Sequence, residues 1–152
     1  MGLKERLQSD LTEAIRSRDE VVAATLRMAL TAVTTEEVAG KQARTLSDDE
    51  VQVVLAREAK KRREAAEAFD GAGRGELATR ERAEGEVLAG YLPAQLTDDE
   101  IAALVAAAIA ESGAAGPQAM GQVMKVVQPQ VAGRAEGGRV AAEVRRQLAA
   151  GG

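Results

Sequence analysis

The chain has 152 residues, with 20 lysines and arginines against 24 acidic residues and a formal net charge of −4. It has no cysteine and no histidine, which excludes disulfides, thiolate nucleophiles, imidazole bases and the common zinc sites and fits a cytoplasmic protein. No global basic field draws it to nucleic acid, so DNA is not an expected partner, and no apolar run approaches the ~20 residues of a membrane helix.

The opening Met1-Gly2-Leu3-Lys4-Glu5-Arg6 is charged, so no signal peptide is expected. Leu3, Leu7, Leu11 and Ile15 recur every four residues and predict a first helix over about 2–17. Asp19 is a candidate N-cap for a second helix, whose stripe is Val22, Leu26, Leu30 and Val33 and whose expected end is Gly40. Lys41 to Leu46 reads as a loop. Ser47 followed by Glu50 is a capping box, opening a long third helix with Val51, Val54, Leu55 and Ala59 on one face and Phe69 near its end. Asp70-Gly71-Ala72-Gly73 breaks that helix. A fourth is expected from about Gly75 to Leu92, with Leu77, Leu88 and Tyr91 inward, although Gly85 and Gly90 each weaken it by roughly 1 kcal/mol.

Pro93 cannot continue a helix and biases Leu92 towards an extended conformation, so residues 92–97 read as a linker. Thr97 and Glu100 form a second capping box. Ile101, Leu104, Val105, Ala108 and Ile109 then mark a fifth helix. After a loop over 112–116, Met120, Val123, Met124 and Val127 mark a sixth, which Pro129 should end or kink. Gly133 to Gly138 is a turn, Val140, Val144 and Leu148 define a seventh helix, and Gly151-Gly152 should fray. No segment alternates with period two, so the expected fold is all-α. Leu46-Ser-Asp-Asp-Glu-Val51 and Leu96-Thr-Asp-Asp-Glu-Ile101 repeat a single helix-start solution.

Catalytic chemistry is not suggested by any constellation. The serines have no histidine to act as base, and no phosphate-cradling glycine loop is present. Asp48-Asp49-Glu50 and Asp98-Asp99-Glu100 sit in first helical turns, where the macrodipole favours acids, so no metal site is expected there. Two basic groups remain. On the third helix Arg57, Lys60 and Lys61 share a face, with Arg62 and Arg63 flanking the apolar stripe; this is either a phosphate-binding strip or a solvated face partly neutralised by Glu58, Glu64 and Glu67. In the tail, Pro117 to Gly152 holds Lys125, Arg134, Arg139, Arg145 and Arg146 against Glu136 and Glu143. Arg139 and Arg146 lie opposite the apolar stripe of the last helix, which suits an RNA backbone or an acidic protein surface. Phe69 and Tyr91 are the only aromatics, so base stacking is not expected and any RNA would be read through shape and phosphates.

Gly73-Arg74-x-x-Leu77, Glu81, Glu84, Leu88 and Tyr91-Leu92-Pro93-x-Gln95-Leu96 resemble the signature of the YqeY family. So do Leu26-Arg27-Met28, Met120-Gly121-x-Val123-Met124-Lys125 and Gly133-Arg134-Ala135. The resemblance implies a helical N-terminal domain of four helices over 1–92 and a GatB/YqeY three-helix domain over 93–152. The latter is similar to the tail of the B subunit of the bacterial glutamyl/aspartyl-tRNA amidotransferase. It further implies a tRNA link, with Lys125, Arg134, Arg139 and Arg146 as contacts; Arg57, Lys60 and Lys61, from their shared helix face alone, are a second candidate group. The expected role is a non-catalytic tRNA-associated module linked to tRNA-dependent amidation, without cofactor. The alternatives are an adaptor for amidotransferase or aminoacylation proteins, and a carbon–nitrogen ligase with glutamine as amido-N-donor.

Overall fold

The computed structural model describes residues 2–151. Among them the regular structure is entirely helical: α1 Leu3–Ser17, α2 Glu20–Glu37, α3 Asp48–Gly71, α4 Gly75–Ala89, α5 Asp98–Ser112, α6 Met120–Val131 and α7 Gly137–Gly151, with a 3-10 turn Pro117–Ala119 before α6. The chain divides into two compact units, 1–92 and 93–152.

In the first unit α3 and α4 form a helical hairpin, and α1 and α2 pack against each other and against it. Leu7, Leu26, Val33, Val51, Leu55 and Leu88 are its buried centre. The first stripe holds only in part. Leu3 and Leu7 are buried, but Ile15 is 50% exposed and Ala14 takes the inward position. At ~100° per residue a four-residue spacing drifts about 40° per step, so Ile15 has turned roughly 120° away from Leu3. Asp19 caps α2 as expected, accepting from the Val22 amide at 3.2 Å. That helix stops at Glu37, before the expected Gly40. Its last residue turns inward instead: the Glu37 carboxylate accepts from Lys4 Nζ at 2.7 Å and from the Leu46 amide at 3.1 Å, tying the following loop to α1. α4 likewise stops at Ala89, not Leu92.

The repeated helix start is the same device in both units. Ser47 and Thr97 each close a complete capping box with Glu50 and Glu100. The residue before each cap (Leu46, Leu96) is buried in the same cluster as the residue after the box (Val51, Ile101). This is a box combined with a hydrophobic staple. The acids that follow the caps have separate duties. Asp48 Oδ1 accepts from the Leu3 amide at 2.9 Å, satisfying an orphan donor at the start of α1.

In the second unit α5, α6 and α7 pack mutually around Val105, Val123, Val127, Val140, Val144 and Leu148. Pro129 neither ends α6 nor marks its last residue; the helix continues to Val131. So near the end, the proline removes one intrahelical bond while the buried Val127 and Val131 hold the final turn. The turn read over Gly133 to Gly138 is shorter, since α7 already starts at Gly137. Gly151 is still helical, and Gly152 lies outside the described residues. Nor are residues 92–97 a free linker throughout. Leu96 is 4% exposed, and its amide donates to the Arg134 carbonyl at 2.7 Å.

Candidate nucleic-acid interface

The tail cations separate into two kinds. Lys125 projects from α6 about 200° from Val123 and Val127, the buried side of that helix, and is exposed. From Gly113 to Ala135 the sequence contains no acidic residue. Arg134, in the turn after α6, is exposed as well, and so is Arg145 on α7. Hydrogen bonds from Thr97 hold the Glu100 carboxyl below the usual carboxylate range, and Arg134 is near enough for its charge to help. The positive φ of +75° at Gly133 allows the chain to leave α6 and place Arg134 at the surface.

Arg139 and Arg146 correct the picture of a shared open cationic face. Arg139 Nη2 donates to Asp98 Oδ1 at 2.6 Å and to the Leu96 carbonyl at 3.2 Å. Arg146 is paired with Glu143, one turn before it, through Nε at 2.9 Å and Nη2 at 2.5 Å. Helical angle places both opposite the apolar stripe, but position along α7 decides their partners. Arg139 lies in the first turn, beside the chain entering α5. The Arg146 guanidinium, and then the Gln147 amide, hold the Glu143 carboxyl down to about 2. Arg146 is still 65% exposed, and such surface pairs contribute only about 0–1 kcal/mol.

The turn that carries Arg134 is gripped by the segment before α5. Gln95 Nε2 donates to the Gly133 carbonyl at 3.1 Å, next to the Leu96–Arg134 bond. Thus Gln95, Leu96, Gly133 and Arg134, distant in sequence, meet as one structural element. Its other members point outward, but Leu96 enters the core.

In the first unit the basic strip is laced with acids. Arg57 faces Glu36 at 3.8 Å, Lys60 faces Glu64 at 3.8 Å, and Lys61 bonds Glu58 at 2.9 Å. Arg62 does not flank the apolar stripe at the surface; it is 8% exposed. Its Nη1 donates to Glu58 Oε1 at 3.1 Å, its Nε faces Glu84 Oε2 at 3.6 Å, and its Nη2 touches the Met28 sulfur. Lys61 and Arg80 close the two carboxylates from the solvent side. The signal was present in the sequence: Glu58 and Arg62 fall on the Val51–Leu55 stripe.

Among the described residues no group of acidic side chains converges to hold a metal ion, and no helix is long and apolar enough to cross a membrane. The sequence matches no curated protein. The family model described as Yqey-like protein matches residues 4–148. Nearly the whole chain is covered by that match, and the protein belongs to the YqeY family.

Proposed function

We propose that this protein is a non-catalytic binding module that associates with tRNA and serves tRNA-dependent amidation. What supports the reading is the exposed surface of α6 and its following turn, which carries Lys125 and Arg134 on a stretch without acids from Gly113 to Ala135; Arg134 also acts on Glu100, the capping-box glutamate of α5. Cations placed this way neutralise backbone phosphates and release counterions. Arg146 can join them, because exchanging Glu143 for a phosphate at an exposed guanidinium changes little free energy. Arg57, Lys60 and Lys61 are the weaker candidates, each facing a glutamate.

Titration of the purified protein against unfractionated tRNA at several salt concentrations tests this. The expected log–log slope corresponds to roughly two or three contacts, at about −0.7 to −0.9 per phosphate. Lys125→Glu with Arg134→Glu should remove most of the binding. No binding at low salt, or binding indifferent to that pair of changes, refutes the proposal.

A second reading, an adaptor that docks on an amidotransferase or aminoacylation protein, is favoured by the first unit. Val38 and Val53 are 59% and 58% exposed, and Val53 borders a shallow groove with Leu46, Val54 and the charged Glu36, Arg44, Glu50 and Arg57. Loss of a purified partner's binding on Val53→Asp, with tRNA binding intact, would select this reading.

A further inference from the structure

Asp98 has no role in the cap that surrounds it. The Thr97 hydroxyl accepts from the Glu100 amide and the Glu100 carboxylate accepts from the Thr97 amide, each at 3.1 Å, without it. Asp98 is 93% exposed, and it reaches back to Arg139. Arg139 Nη2 is shared between that carboxylate and the Leu96 carbonyl, and Leu96 in turn holds the Arg134 carbonyl. Asp99, the next residue, carries the same charge and makes no bond to Arg139.

We propose that Asp98 is an internal competitor of the ligand: it occupies Arg139 in the free protein and yields it to a backbone phosphate of bound RNA. The inference rests on the tRNA-binding reading above and adds to it a built-in restraint. A carboxylate and a phosphate present the same acceptor chemistry to a guanidinium, so only one of them can hold its free edge. The Asp98 pair is exposed and therefore exchangeable. While it lasts, it withholds one cation from the vicinity of Arg134, to which Leu96 connects it, and keeps a negative charge there. Binding and pairing are then linked: removing the pair strengthens binding by the inverse of the fraction of molecules in which Arg139 is unpaired.

The test is a tRNA titration of wild type, Asp98→Asn, Asp99→Asn, and Asp98→Asn combined with Arg139→Gln. Removing either acid relieves general repulsion. Asp98→Asn should tighten binding about two- to fivefold beyond Asp99→Asn, the range an exposed ion pair spans. Adding Arg139→Gln should abolish that surplus. Equal gains from the two asparagine variants, or a surplus that survives Arg139→Gln, overturn the inference while leaving tRNA binding standing. Absence of binding in every variant overturns both. The comparison of Asp98→Asn with Asp99→Asn decides the matter even if the Arg139 variant fails to fold.

Discussion

The Tyr91 hydroxyl donates to Asp10 Oδ2 at 2.6 Å, and the Arg6 guanidinium lies 4.7 Å above the centre of its ring. The last turn of the first unit is thereby fastened to α1, through a residue that belongs to the Tyr91-Leu92-Pro93 signature. Burial, followed by the hydrogen bond to Asp10, pushes the phenol from its ordinary 10.0 up to about 12. Tyr91 is the only tyrosine, so ultraviolet titration reads it alone. Ionisation should be delayed towards pH 12 and return towards 10 in Asp10→Asn. Because the folded value is raised, the associated stability is complete below pH 10 and lost as pH rises through about 12. Tyr91→Phe should cost about 1 kcal/mol in urea unfolding at neutral pH.

A second prediction concerns Arg62. It lies between Glu58 and Glu84, and all three side chains are nearly inaccessible. Arg62→Met removes the inner cation and leaves two carboxylates facing each other. The expected loss is about 3 kcal/mol, the lower end for breaking a buried pair, because Lys61 and Arg80 still neutralise the outer side. Replacing Glu58 and Glu84 by leucine in the same variant should restore most of it, since an apolar substitute for a buried ionic cluster is often neutral. Tyrosine fluorescence during urea unfolding follows the first unit and checks both.

Elements whose causes are local were legible in the sequence. The capping boxes of Ser47 and Thr97, the Asp19 cap and the apolar stripes of α5 and α7 depend on residues within one or two turns. Features that depend on distant partners were not. Arg62 reads as surface because a charge is presumed solvated, and its burial depends on Glu84 and Met28 from other helices as well as on Glu58 from its own. Arg139 reads as outward from its helical angle, yet its partners are Leu96, just before α5, and Asp98, the first residue of that helix. Lys125, Arg134, Arg139 and Arg146 are visible as cations of the tail from the sequence alone. Which of them are already engaged depended on tertiary contacts that periodicity does not encode.

Arg18 supplies a third test. It ends α1 in the left-handed region at φ +61°, where its amide donates to the Ile15 carbonyl and the Asp19 amide to the Ala14 carbonyl. A side chain there costs about 1–2 kcal/mol relative to right-handed backbone. Arg18→Gly relieves that strain but enlarges the freedom of the unfolded chain, so a net gain of about 0.5–1 kcal/mol is expected. A raised urea midpoint at unchanged slope would establish it.

Acid should loosen α7 by a specific route. The Glu143 carboxyl is held down from 4.5 to about 2 by Arg146 and Gln147. Its folded value being depressed, its contribution is present above pH 4.5 and lost as pH falls through about 2. Glu143→Gln should therefore melt below wild type at neutral pH, with the gap closing over that window. Thermal unfolding followed by circular dichroism at stepped pH measures it, and a constant gap would exclude the carboxylate as its source.

The last prediction separates the two halves of the signature. Pro93 and Ala94 stand between the Tyr91 anchor and the buried Leu96, and Ala94 is exposed. An elastase, which cleaves after small residues, should cut after Ala94, because Leu96 is held through both its amide and its carbonyl. Arg139→Gln removes the bond to the Leu96 carbonyl and should speed that cut severalfold. Tyr91→Phe acts on the other side of Pro93, so its effect on Leu96 should be absent, and hydrogen exchange of the Leu96 amide provides the control. Equal cleavage rates in wild type and Arg139→Gln would mean that the Arg134 carbonyl alone secures Leu96.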